Sequence, residues 1–411
     1  MIKRIAPVLL LAAGCASADD APTGPTGPID RLPRPLSATE QALVTHANTF
    51  AFRLLNEVAA SEAKPNVVLS PLSASFALGM LLNGAADQTW TEMRDALALE
   101  GLEQSEINAG YASLIELLVD LDPRVRFDIA NSVWLREGFP FEPAFADSVR
   151  SRFDATVQTL DFAQPAALST INGWVEDATE GRIERMIDEI TPDDVLFLMN
   201  AIYFKGDWRA PFDPERTSSA AFRTASGQPV MVPMMSMEDQ PLRFADMPDG
   251  TKVLEMPYGG DAYAMDFVLP PDGVPAAELA ATLDPSTWQG WLAALNTVEV
   301  MVRMPRFELA YERTLNDDLR ALGMQDAFIE SQADFARLTP AQVYVSFVKQ
   351  KSFLKVDEVG TEAAAVTGIG VRVTSLGPHI FLDRPFLFAI RERLSGAILF
   401  IGVIGDPSAG E

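Results

Sequence analysis

An α+β fold, rather than an alternating α/β one, is what this sequence predicts, because helical periodicity comes early and strand-like runs come late. Two further observations set the frame. The chain has 411 residues and is 48% hydrophobic, enough to bury a large core. Its texture stays even to about Pro407 with no linker and no internal repeat, so residues 37–411 read as one domain.

The first element is an export signal over residues 1–18. Lys3-Arg4 precedes a short apolar core, Ile5 to Ala13, and then small residues. Cys15 stands in "LAAGC", a lipobox-like pattern that would carry a lipid, and "ASA" before Asp19 fits ordinary cleavage after Ala18. The short apolar core with the lone cysteine at its end favours the lipid. Either route puts the mature protein outside the cytoplasm, lipid-anchored at the cell envelope or secreted. Residues 19–36, rich in Pro, Gly and Thr, are expected to be a flexible tether.

A first helix starts at Ser37, with Glu40 completing a capping box, and runs through Leu43, Phe50, Leu54 and Val58. Ser70-Pro71 starts a second, with Leu72, Phe76 and Met80 on one side. Thr89 and Glu92 are expected to cap a third. Strands are expected in "RFDIANSVWL", "VLFLMNAIYF", "AYAMDFVLP", "VEVMVRMP", "YVSFVKQKSFLKV", "FLFAI" and "AILFIGVI". The last two form a hairpin around Leu394-Ser395-Gly396, and "DMPDG" at Asp246 reads as another hairpin turn.

Composition excludes much chemistry. A net charge of −25 and a pI near 4.4 argue against nucleic acid, heparin-like polyanions and anionic membrane surfaces as partners. A lipid on Cys15 is then the only expected membrane contact. With no cysteine after Cys15, disulfides and thiolate chemistry are excluded from the body. Its two histidines, His46 and His379, have no G-x-S-x-G elbow to serve, and neither H-E-x-x-H nor C-x-x-C occurs. "GIGVRV" at Gly368 lacks the third glycine of a dinucleotide site. No cofactor, no metal and no catalytic residue are expected, and the chain does not read as an enzyme.

One segment stands apart. From Asp357 through "DEVGTEAAAVTGIGVRVTSL", Thr361, Ala363, Ala365, Thr367, Ile369, Val371 and Val373 share one parity without a charge. The other parity carries Glu362 and Arg372. That split suits a half-buried strand. Two glycines and a row of alanines make a poor strand on propensity. The segment is therefore expected to serve both as an exposed loop and as a strand within a sheet.

From about Ser37 to Pro407 the chain resembles a serpin. The resemblance rests on "NVVLSPLSASFALGMLLNGA" at Asn66, "INGWVEDATEGRI" at Ile171, "NAIYFKGDWRAPF" at Asn200 and "DRPFLFAIRERLSGAILFIGVIGDP" at Asp383, in the family's order. The lipobox-like leader suggests a bacterial member. The resemblance implies the serpin fold, with "INGWVEDATEGRI" as the helix across the main sheet and an exposed reactive-centre loop at about 360–382. It implies a monomeric suicide inhibitor that a target serine protease attacks, forming an acyl-enzyme before the cut loop inserts into the central sheet. Counting from Glu358 and back from Pro385 both place the reactive bond at Thr374–Ser375. Arg372, Val373 and Leu376 are the alternative or flanking positions. Thr374 after Val373 suits elastase-like or subtilisin-like proteases.

The hinge implied by the resemblance is Glu358, Gly360, Thr361, Glu362, Ala363, Ala364, Ala365 and Val366. Small residues on its inward face favour an inhibitor. The alternative is a non-inhibitory serpin-fold protein that binds or chaperones. Ser70, Ser73, Asn200, Trp208 and Gln350 match the region where the sheet opens. Gln350 stands where the family usually has histidine; it could bond Asn200 or Ser70, and it cannot titrate near neutral pH.

Overall fold

In the computed structural model, residues 27–361 and 377–410 are described. Helix α1 (Ala38–Ser61) begins at the expected capping box: Glu40 N–H donates to Ser37 Oγ at 3.2 Å and Ser37 N–H to Glu40 Oε2 at 2.6 Å. Helix α2 (Pro71–Leu82) begins at Pro71, but Ser70 does not cap it; the Ser70 hydroxyl donates to Leu399 O at 2.9 Å. The expected caps of α3 (Asp87–Ala96) are also corrected. That helix follows Ala86, which places Thr89 and Glu92 inside it. Thr89 Oγ1 accepts from Asp334 N–H, and Glu92 Oε2 from the N–H groups of Gln325 and Asp326, so both serve loops distant in sequence.

Ahead of α2 lies β1 (Asn66–Leu69), and after α3 come α4 (Gln104–Leu118), β2 (Val125–Arg136), α5 (Pro143–Phe153), β3 (Thr156–Leu160), α6 (Pro165–Ala178) and β4 (Leu196–Asp207). Then follow β5 (Ser218–Arg223), β6 (Pro229–Asp246), β7 (Lys252–Pro257), β8 (Tyr263–Leu269), α7 (Ala276–Thr282), α8 (Pro285–Ala294), β9 (Asn296–Pro305), β10 (Phe307–Thr314) and α9 (Asn316–Ala321). The chain closes with β11 (Lys349–Val356), β12 (Gly360–Thr361), β13 (His379–Phe381), β14 (Phe386–Glu392) and β15 (Ile398–Ile404).

Among the described residues these strands form three sheets. The largest runs β1-β15-β14-β8-β7-β6-β9-β13 with β5 against β6; another runs β12-β4-β2-β3; the third is the β10-β11 pair. The architecture is the α+β one expected, with a large, mainly antiparallel sheet beside the helices. The strand expected over 344–356 starts only at Lys349, because 344–348 spends its hydrogen bonds elsewhere. Val345 N–H goes to Ala327 O, and the Asn316 amide accepts from Val348 N–H and donates to Ser346 O.

The main core joins α1 and α2 to the faces of all three sheets. A second cluster packs Ile171 and Val175 of α6 on Trp134 of β2 and on Phe197 and Met199 of β4. Alternation along β4 therefore turns odd residues toward α6, while Phe204 and Gly206 face the main core. Within the stretch expected to be a tether, Arg34 forks onto Glu40 at 2.6 and 2.9 Å, and Ile29 packs against the core.

Candidate functional site

Strands β4 and β11 flank a slot. Each belongs to a different sheet, and no ladder joins them. Between them lies a cavity of about 40 Å³ bordered by Asn200–Phe204 on one side and Lys351–Lys355 on the other. Thr361 closes its top, Ser70 and Phe400 lie in its lining on the core side, and Arg182, after α6, stacks over Phe353 at 5.2 Å. Toward the start of β4 the slot widens into a cleft of about 770 Å³ beside 342–351, whose lining includes Leu78 and Leu81 of α2. Two facing strand edges without a ladder offer unpaired main-chain donors and acceptors, which an extended segment can satisfy.

The upper end of the slot is already occupied by β12. Gly360 pairs with Asp207 and Thr361 with Gly206, antiparallel to β4. Gly360 must be glycine there, since a Cβ would stand 2.1 Å from Gly206 O. Thr361 faces the core and its Oγ1 shares a 2.7 Å hydrogen bond with the buried Tyr258 hydroxyl. Burial pushes the Tyr258 phenol far above its usual range, so it stays neutral and can donate.

Trp208 holds the turn that precedes this entry point. Its ring stacks on Tyr258 at 4.3 Å and 12°, its indole N–H donates to Asp357 O at 3.0 Å, and its main-chain N–H to Val359 O at 2.6 Å. Asp357 Oδ1 accepts from the N–H groups of Val359 and Gly360 at 3.0 and 3.2 Å, closing the turn. The buried Glu358 carboxylate accepts from Thr217 Oγ1 at 2.7 Å and lies 3.6 Å from Arg306.

Below the entry point, Gln350 forms a two-point clamp. Its Oε1 accepts from Ser70 N–H at 3.2 Å and its Nε2 donates to Ser70 O at 2.6 Å, so of the two partners open to it the fold selects the Ser70 main chain. Asn200 turns the other way, donating through Nδ2 to Asn131 Oδ1 at 2.7 Å, while Ser73 Oγ donates to Asn200 O at 3.4 Å. Asn200 Oδ1 and Ser352 Oγ, both buried, find no hydrogen-bond partner among the described residues.

The fold thus brings together Ser70, Ser73, Asn200, Trp208, Gln350, Glu358, Gly360 and Thr361. Glu362, Ala363, Ala364, Ala365, Val366, Arg372, Val373, Thr374, Ser375, Leu376 and Cys15 lie outside the described residues. His379 sits on β13, away from the slot, and the half-buried His46 on α1. Sequence reasoning missed Tyr258, Thr217, Arg306, Asn131 and Ser352. Only Tyr258 carried a local signal, an aromatic residue just before Gly259-Gly260 in a strand-to-strand turn.

Comparison with known proteins agrees with this geometry. Residues 45–407 match the family model described as serpin (serine protease inhibitor). Neuroserpin of Gallus gallus is 32% identical over 366 residues, covering 86% of this chain and 89% of that protein. Among solved structures, the thermophilic serpin tengpin in its native state superposes with a TM-score of 0.81 at 26% identity, covering 92% of this chain and 97% of that one. Thyroxine-binding globulin in complex with thyroxine gives 0.80 at 32% identity, covering 90% and 100%.

Proposed function

The chain belongs to the serpin family, and on that premise we propose that it is an inhibitory member, which traps serine proteases by inserting its cut reactive-centre loop between β4 and β11. The observation that carries this reading is the slot itself: two strand edges without a ladder, with Gly360 and Thr361 already seated at one end. Continuing the antiparallel register from Thr361–Gly206 sets Ala363 against Phe204, Ala365 against Ile202 and Thr367 against Asn200. The small residues enter where the slot is narrow, and Thr367 brings a hydroxyl to the unpartnered Asn200 Oδ1. Ile369, Val371 and Val373 follow into the wider cleft, whose lining includes Leu78 and Leu81. Side-chain size thus tracks the space along the path.

In this reading the protease supplies the chemistry and the chain supplies the bait. The reactive bond is Thr374–Ser375, the targets are elastase-like or subtilisin-like, and the protein acts outside the cytoplasm, tethered through Cys15 or free. The test is incubation with elastase, subtilisin, trypsin and chymotrypsin. An SDS-resistant adduct with release of a C-terminal peptide starting at Ser375 is expected. Cleavage without any adduct across the panel refutes inhibition. The second reading, a binding or chaperone protein, draws on Gln350, whose clamp secures β11 to Ser70 beside the slot. It predicts that loop cleavage leaves no adduct.

A further inference from the structure

The segment expected to be slack is bound to the body close to the hinge. Ile29 N–H donates to Gly260 O at 2.6 Å, and Arg124 Nη2 reaches Gly27 O at 3.4 Å. The receiving corner is the turn between β7 and β8. Gly259, at φ +45°, donates its N–H to Asp207 O at 2.9 Å, and Gly260 N–H donates to Asp122 Oδ2 at 2.6 Å. A Cβ on Gly260 would stand 2.4 Å from Arg124 Nη2 and 2.8 Å from Asp122 Oδ2. Glycine is therefore what lets the arginine lie across the turn. The buried Asp122 carboxylate also accepts from Arg124 N–H at 3.0 Å, fixing the lead into β2.

This corner joins the sheet that carries β4, one flank of the slot, to the nine-stranded sheet. Arg124 leads into β2, which pairs with β4 along almost its whole length and forms one flank of the slot. Gly260 belongs to the nine-stranded sheet. Gly27 is bonded on the first side and Ile29 on the second, so three residues span the joint. The hinge is close by: Tyr258 bonds Thr361, and Asp207, which accepts from Gly259, pairs with Gly360. For a strand to enter below Thr361, β4 must part from β11, and β4 carries β2 with it. A segment pinned on both sides of the joint opposes that movement.

We infer that residues 27–29 are a strap that slows opening of the slot, so that release of the N-terminal segment speeds loop entry. This rests on the insertion reading above. The test uses the full chain with Ile29→Pro, which deletes the donor N–H, Ile29→Asp, which removes the apolar contact, and Ile29→Val as control. Two quantities are measured: the rate at which intact protein converts on mild heating to a heat-resistant inserted form, and the unfolding temperature after the loop is cut. Loss of one main-chain bond or one half-buried side chain should speed conversion roughly three- to tenfold. Ile29→Val should convert at the parent rate, and all cut forms should unfold together. Equal conversion rates, or an equal drop in unfolding temperature before and after cutting, would overturn the strap. If the cut parent gains no heat resistance, the insertion reading itself fails and the strap falls with it.

Discussion

Replacing Gln350 by glutamate changes one donor into an acceptor at the clamp on Ser70. Oε1 can still accept from Ser70 N–H at 3.2 Å, but the atom replacing Nε2 meets the Ser70 carbonyl across 2.6 Å. Gln350 is 6% exposed, so water does not relieve the contact. Arg313, its cross-strand partner, is already held by Glu62 at 3.0 Å and Asp318 at 2.6 Å. Leaving a buried charge uncompensated costs about 3–5 kcal/mol. The carboxyl would avoid this by keeping its proton and donating to Ser70 O. That cost raises the folded-state pKa of the carboxyl well above its unfolded value of about 4.3.

A raised folded pKa means that the variant matches the parent below the unfolded value of about 4.3 and loses stability as pH rises through the folded one. Urea unfolding of both proteins at pH 4.5 and 7.5 measures the gap. It should be within about 1 kcal/mol at the lower pH and about 3 kcal/mol at the higher. A gap of the same size at both values would refute the proposed bonding of Gln350 to Ser70.

Three further outcomes follow from the same contacts. Glu358→Ala removes the acceptor of Thr217 Oγ1 and the neighbour of Arg306, and should lower native stability in urea by about 1.5–3 kcal/mol; a change below about 0.5 would contradict the anchoring role. Gly360→Ala puts a methyl 2.1 Å from Gly206 O, so β12 should leave β4 and the fluorescence of the adjacent Trp208 should shift, whereas an unchanged spectrum would show that the pairing is not held. Glu40, held below the usual carboxylate range first by the Arg34 fork and also by Ser113 and Ser37, stabilises the fold above about pH 4.5 and loses that contribution as pH falls. Glu40→Gln should accordingly lower the thermal midpoint at pH 7 and narrow its deficit by pH 3; a constant deficit would mean that charge plays no part.

Elements set by neighbouring residues could be read without coordinates. The capping box at Ser37, Pro71 at the head of α2, and the apolar runs of β8, β14 and β15 announce themselves within a few residues. Strand β6 does not, because Pro233 and Pro241 interrupt it and its register shifts between Met237 and Gln240. Strand β13 is three residues long and depends on β9 for its existence. Thr89 and Glu92 carried a cap pattern that distant loop N–H groups claimed instead.

At the site, the identities of Ser70, Asn200, Gln350, Gly360 and Thr361 were legible through the family pattern, and so was the charge-free face that continues beyond Thr361. What the sequence determined by itself is the pattern of this segment, a charge-free parity and a run of small residues, since both are local properties. Tertiary structure alone decided that β4 and β11, about 150 residues apart, would face each other without a ladder, and that Gln350 would clamp Ser70 rather than Asn200. Which edges pair is settled by the packing of whole sheets, and no window of sequence contains both edges.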